Sequence, residues 1–304
     1  MKFTNASFLY AAGLLLIGFS SCTEINSQPL ELPNLDRNAF NDYWYAGNAE
    51  LTRYELEQSR YGELHKGHAV LIFVTEDFNT KDQVKHERGG KGPDVQSVLK
   101  LNFTKKFNTG LYPYSLMSSI FTPVNLGKTY KVTTTSQEWC GHTFSQLNLG
   151  KGKYKGQLYS YFQQEGDESF TLDDVYLEDE IWNRIRLNPT SLPTGEIRLI
   201  PGTQFLRLKH RPHKEESANA ALSDFSDGDL SEKAMIKYVV EYANFKRKLN
   251  IIFEKTFPHR ILAWEEYDSN GLVTKAVRTH EMKSAYWGQN SVKDAAFRNE
   301  LGLE

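Results

Sequence analysis

The sequence predicts a mainly β protein, an antiparallel meander forming a barrel or strongly curved sheet with one or two short helices; an α+β arrangement is the alternative. Three observations predict this. Aromatic residues make up 13% of the chain and Thr, Val and Ile are plentiful, and these residue types fit a pleated, half-buried surface. Apolar and polar residues alternate with period two, most cleanly over 98–107, as in a strand with one face on a core. The alternating runs are joined by hairpin-length connections, of which Asn270-Gly271 is the strongest turn signal.

The chain opens with Lys2, an uncharged and mostly apolar run from Phe8 to Phe19, then Ser20, Ser21 and Cys22. The run is too short for a stable membrane span and has the layout of an export signal. The cysteine at the cleavage position resembles a bacterial lipoprotein signal, although Phe19 stands where the usual lipobox has leucine. That resemblance implies a leader over 1–21 and a diacylglycerol on Cys22. Residues 22–35, polar with two prolines, read as the lipidated N-terminus and a flexible tether. Residues 36–304 then form a single β-rich envelope domain.

Asp36 is placed to cap a short helix near 35–44, which Gly47 ends. Runs 49–61 and 68–78 flank the polar break "GELHKG" and read as a hairpin. In 98–107, Leu99, Leu101, Phe103 and Phe107 share one face; Lys100, Asn102, Thr104 and Lys106 lie on the other, with Val98 the exception. Residues 108–127 mix Pro and Gly with aromatics, which suggests a packed loop or bulged edge strand. The run 129–149 reads as one long strand with a bulge at Gly141, followed by a turn at 151–156 and a strand at 157–164.

Residues 165–180 carry eight acidic side chains and no basic one. They read as a solvated loop leading into a helix, with Leu177, Ile181, Trp182 and Ile185 at helical spacing and Asp173 or Asp174 as its cap. The stretch 195–210 gives one or two strands, and 214–233 a polar, mobile loop. Four further strands follow, with a helical patch at 291–304. No internal repeat of fixed period is present.

Composition restricts the function. Net charge is −2 and the pI about 6.5, with basic residues dispersed, which argues against a nucleic-acid partner. Lipidation of Cys22 leaves Cys140 alone, so no intramolecular disulfide is available. On a regular strand Glu138, Cys140 and His142 project from one face about 6.8 Å apart. A nucleophile and its base need about 3 Å. The favoured reading is a small buried thiol; the alternative is a thiol enzyme with Cys140 as nucleophile, His142 as base and Glu138 as orienter. His65 with His68 and His210 with His213 fall near turns and supply too few ligands for zinc. The acidic stretch lacks the spacing of a calcium loop, so neither metal nor cofactor is expected. Tyr43, Trp44, Tyr45, Tyr112 and Tyr114 are candidates for a pocket lining or for packing.

Several long stretches carry a resemblance: "YWYAGNAELTRYELEQSRYGEL", "LIFVTEDF", "QVKHE", "VLKLNFTKKFNTGLYPYSLMSSIFTP", "QEWCGHTFSQLN" and "LEDEIWNRIRLNP" with "LPTGE". They resemble an uncharacterised family of bacterial, Bacteroidetes-type lipoproteins commonly labelled "septum formation inhibitor Maf". The enzymes that properly bear that label are nucleotide pyrophosphatases with a Ser-Pro-Arg-Arg phosphate motif. This chain lacks the motif, so no catalytic residue is carried over, and neither pyrophosphatase activity nor a role in septum formation is expected.

The expected protein is lipid-anchored in the cell envelope, on the outer membrane facing the periplasm. It acts by binding a lipid, a glycan or an envelope protein. The expected binding face carries Lys100, Asn102, Glu138, His142 and Gln146.

Overall fold

A computed structural model describes residues 32, 35–87, 89–269 and 271–303. The leader, Cys22, most of the tether and Asn270 of the expected Asn270-Gly271 turn lie outside the described residues.

The chain enters through α1 (Arg37–Trp44), capped as expected by Asp36, whose carboxylate accepts the amides of Asn38 and Ala39. A long hairpin follows, β1 (Ala49–Arg60) and β2 (Glu63–Asn79). Its two-residue turn, Tyr61-Gly62, has both residues at positive φ, 53° and 82°, the twist that a tight hairpin requires. The turn therefore comes earlier than the sequence suggests, and "GELHKG" is mostly strand. His65 and His68 stand on β2, not in a turn. The short β3 (Val84–Lys85) pairs only with the end of β2.

The meander continues through β4 (Val95–Thr109), β5 (Tyr112–Pro123), β6 (Lys131–Glu138), β7 (Gly141–Leu149), β8 (Lys153–Ser160) and β9 (Glu168–Asp173). Leu99, Leu101, Phe103 and Phe107 of β4 are buried together, as the alternation requires. β5, expected as a loop or bulged edge, is a regular central strand paired with β4 and β6. Its prolines stand next to the first position and at the last, leaving the interior free to pair. The acidic stretch is not a solvated loop: it supplies β9, the two-residue β10 (Tyr176–Leu177) and the first turn of α2 (Glu178–Leu187). Neither Asp173 nor Asp174 caps α2, which starts after Leu177 without a side-chain cap. Glu178, Asp179 and Glu180 occupy its first turn instead, where the helix dipole favours negative charge.

After β11 (Gly195–Ile200), residues expected to continue as strand form the short helix α3 (Thr203–Leu208). The expected mobile loop is β12 (Glu216–Asp227), with Ala218 and Ala220 turned inward. The rest follows the expected meander: β13 (Ser231–Tyr242), β14 (Lys248–Glu254), β15 (Ile261–Tyr267) and β16 (Val273–Ser284), then α4 (Ala296–Glu300). There are thus four short helices among the described residues, not one or two.

All sixteen strands join one sheet, in the spatial order β10 to β16, then β1, β2, β4 to β9, with β3 at the end of β2. Every pairing is antiparallel except β10 with β11. Only Asp174 and Val175 separate β9 from β10, so the two ends of the sheet meet in sequence although no ladder closes them. The curled sheet therefore has a seam. Side chains bridge it: Arg198 lies 3.7 Å from Asp173 and pairs with Glu215, and Glu215 accepts the Asp173 amide at 3.0 Å. Covering an open strand edge in this way removes a template for pairing with other chains.

The inward face is filled. Every residue of α2 and α3 is buried. Trp182 of α2 meets Phe103 and Trp264 with ring centroids 5.0 and 5.3 Å apart. Asn183 donates to the Leu99 carbonyl and to Thr122, each at 2.9 Å. Two small cavities beside α3 measure about 20 Å³ each, no more than a water molecule needs.

Candidate functional site

Glu138, Cys140 and His142 do not share a strand. β6 and β7 pair from Lys131↔Asn148 to Glu138↔Gly141, leaving Trp139 and Cys140 as a two-residue hairpin turn. Neither turn residue takes a positive φ, so the sequence here has none of the Gly or Asn signals that mark most tight hairpins. A side chain fixes the turn instead: Glu138 Oε2 accepts the Cys140 amide at 2.6 Å.

The turn separates the three side chains. Glu138 is turned inward and buried, 3.9 Å from Arg207. His142 faces outward, opposite Gln137. Cys140 is exposed at the tip, not buried as expected. Its thiol is pushed up, first by the hydrogen bond to Glu138 and also by that carboxylate's charge. A nucleophilic thiol needs the opposite shift and a base within reach. The arrangement does not assemble the Cys140–His142–Glu138 chemistry.

Around this tip the hairpin ends form a cluster. Tyr61, Tyr112 and Tyr114 join their hydroxyls, with Tyr61 to Tyr114 at 2.7 Å and Tyr112 to Tyr61 at 3.3 Å. The Arg60 guanidinium lies 4.3 Å from the Tyr61 ring centroid and also donates to the Leu208 carbonyl at the end of α3. Tyr112 in turn stacks toward Trp139 at 6.4 Å. Of the aromatic set, Trp44 and Tyr114 are buried packing residues, whereas Tyr45 is exposed.

The outward face of β4 to β9 brings together four of the five expected binding residues: Lys100, Asn102, His142 and Gln146. Glu138 is the exception, on the inward side. Register aligns Asn102, Ser119, Thr133, Gln146, Gln157 and Ser169 in one row across six strands. The row carries hydroxyls and amides and no charge. At roughly 4.8 Å per strand it spans about 24 Å. Ser119 donates to Asn102 at 2.7 Å and Ser169 to Gln157 at 3.0 Å, which orients both amides. Gln146 donates to Asn148 at 2.6 Å. Lys100 lies in the next row and pairs with Glu76 at 3.1 Å.

On the other side of the polar row, toward the hairpin tips, runs Thr104, Met117, Thr135, Phe144 and Tyr159. The Phe144 and Tyr159 rings stack with centroids 6.4 Å apart. They floor an open cleft of about 440 Å³ that also touches Gln137, His142, Ser160, Tyr161 and Asp167. The cleft thus joins three aromatic rings to an imidazole, an amide and a carboxylate. Ser119, Thr133, Phe144, Gln157, Tyr159 and Tyr161 were not singled out from the sequence. Their signal, uncharged polar and aromatic side chains at alternate positions, emerges only once the strands are in register.

Among the described residues no group of three or more His, Cys, Asp or Glu side chains is placed to hold a metal ion, and no helix is long and apolar enough to cross a membrane. His210 bonds to Glu165 at 2.6 Å. His213 stacks on Phe170 at 4.9 Å, and burial pushes its imidazole down to about 4, so it is a packed residue and not a solvated turn.

The chain matches no family model, and no curated protein is similar to it at a significant level. Among solved structures it is similar to a β-barrel-like protein of a domain of unknown function from Brucella abortus. The two share 9% identity with a TM-score of 0.49, over 78% of this chain and 98% of that one.

Proposed function

We propose that the protein is a lipid-anchored envelope protein that binds a glycan strand across the outward face of β4 to β9. The observation that supports this reading is the uncharged hydroxyl and amide row beside the Phe144–Tyr159 platform. A sugar ring presents hydroxyls at its rim and carbon-bound hydrogens on its faces. It therefore suits a surface where oriented amides lie next to the faces of aromatic rings. A lipid carried inside the sheet is the weaker reading, because α2 and α3 occupy that space. An envelope protein partner is a second reading, favoured by the exposed tips, where Trp139 is 68% and Leu111 82% accessible. Aromatic side chains of this kind anchor protein interfaces.

Binding of the full-length protein in detergent to a panel of insoluble cell-wall and surface polysaccharides tests the glycan reading. Retention on at least one polysaccharide is expected, weakened ten-fold or more by Tyr159→Ala and by Gln146→Ala with the circular-dichroism spectrum unchanged. Retention on none, or retention indifferent to both substitutions but lost in Trp139→Ala, would move the function to the tips.

A further inference from the structure

The proposed anchor and the fold together bear on which way the domain points. We propose that the end of the sheet carrying α1 lies against the lipid headgroups, with Tyr45 and Trp287 at their level, while the Trp139-Cys140 tip is held away from the membrane. This inference rests on the lipid-anchor reading and adds an orientation to it.

The first argument is reach. Thirteen residues lie between Cys22 and the α1 cap Asp36. Fully extended, they span at most about 50 Å. β1 starts beside α1 and climbs through 12 residues to the Tyr61 tip, about 40 Å at the rise of a strand. Bringing the tips to the membrane would consume four-fifths of the largest possible reach, whereas the α1 end needs none of it.

The second argument is what that end displays. β16 finishes at Ser284 opposite Ala49, which brings the following turn, Tyr286–Gly288, beside α1. Lys283 Nζ donates to the Tyr43 carbonyl at 2.6 Å and sits 3.5 Å from that ring's centroid, tying the two segments together. Tyr45 is 50% and Trp287 52% exposed; Tyr45 Oη lies 3.1 Å from Ser97 Oγ at the start of β4, on this same end. Tyr and Trp, each with an apolar body and a polar tip, favour the boundary between headgroups and acyl chains. A bilayer surface is thus the occupant that both the chain's point of attachment and the side-chain chemistry select.

Cys140 makes the test direct. In lipidated protein it is an exposed thiol on the far tip. Full-length protein is reconstituted in phosphatidylethanolamine–phosphatidylglycerol vesicles containing headgroup-nitroxide lipid. One sample carries a fluorophore on Cys140, the other on Trp287→Cys in a Cys140→Ser background. Quenching at least three-fold stronger at position 287 is expected. Equal or stronger quenching at 140, or quenching at neither position, overturns the orientation. Mass spectrometry of Cys22 and vesicle flotation, run on the same samples, report the anchor separately. A chain that is neither lipidated nor floated defeats the anchor reading and the orientation with it; a floated chain with neither probe quenched defeats the orientation alone.

Discussion

Arg186 of α2 and Glu50 of β1 form a bidentate ion pair inside the curled sheet, with Nη2 and Oε2 2.6 Å apart and both side chains sealed from solvent. The guanidinium also donates to the Pro258 carbonyl at 2.9 Å and lies 4.9 Å from the Phe73 ring centroid. Burial alone would raise the Glu50 carboxyl. Arg186 outweighs it through charge and hydrogen bonds and holds that carboxyl below the usual range. The pair therefore locks α2 onto the first strand of the meander.

Removing one partner strands the other charge in the core, which costs about 3–5 kcal/mol. Urea denaturation of Glu50→Gln and of Arg186→Met is expected to show losses of that size. The double variant is expected to lose less than the sum of the two, because neither charge is then left unpaired. Strictly additive losses would mean that the two side chains stabilise the fold independently.

The thiol gives a second prediction. Cys140 is exposed, so alkylation needs no denaturant, but the adjacent Glu138 carboxylate disfavours the thiolate. Labelling at pH 7 is expected to be slow and to rise with pH through a midpoint above that of an ordinary thiol. Glu138→Gln is expected to shift the midpoint down and speed labelling at pH 7 several-fold. Cys140→Ser is expected to leave the urea midpoint unchanged, as for surface substitutions generally. A midpoint below 7 in the native chain would restore the enzyme reading.

Period-two alternation made the strands legible wherever one face is apolar and the other charged. Hence 98–107 and the last four strands stand as expected. It failed where the inward residues are small, as with Ala218 and Ala220, and where a turn has no turn residue, as at Trp139-Cys140. It also failed where charge goes inside. Glu178, Asp179 and Glu180 look like a solvated segment in sequence, yet each is buried against a partner: Arg247 before β14, Thr203 of α3 and Arg184 of the same helix. A third of the outward row was legible: Asn102 and Gln146 came from strand parity, but Ser119, Thr133, Gln157 and Ser169 needed register, which is set by pairings far apart in the chain.

A close backbone approach gives the third prediction. A Cβ on Gly67 would stand 2.1 Å from the Lys106 carbonyl oxygen and 2.7 Å from Phe107 Cβ. These are neighbouring-strand atoms that cannot swing aside. Gly67→Ala is expected to cost about 2 kcal/mol or more by overpacking, read as a lower urea midpoint. Gly92→Ala, whose nearest neighbour would be Val95 Cγ2 at 3.7 Å, is expected to leave the midpoint unchanged. Equal midpoints for the two variants would show that β2 and β4 are less closely apposed than described.

Two buried groups give the pH dependence of stability opposite signs. Asp179 is pushed up to about 7, chiefly by burial, against the hydrogen bonds it accepts from Thr203. With an ordinary value of 3.8 in the unfolded chain, the folded state holds the extra proton between pH 4 and 7. Stability from this group is therefore full at low pH and is lost as pH rises toward 7. His259 is pushed down to about 4, chiefly by burial, from an ordinary 6.5. Its contribution is present above pH 6.5 and is lost as pH falls toward 4. Each shift corresponds to roughly 3–4 kcal/mol, so the two slopes oppose each other between pH 4 and 6.5, and His213, also pushed down to about 4, adds to the slope of His259. His259 has φ 56°, a conformation asparagine tolerates, which makes His259→Asn a usable probe. Relative to the native chain, its stability is expected to fall as pH rises from 4 to 6.5, because one of the two buried imidazoles that oppose the Asp179 slope is gone. Asp179→Asn is expected to show the reverse, losing stability as pH falls from 6.5 to 4. Urea denaturation at five pH values between 4 and 8 reads both slopes, and profiles parallel to that of the native chain in both variants would remove these groups as its source.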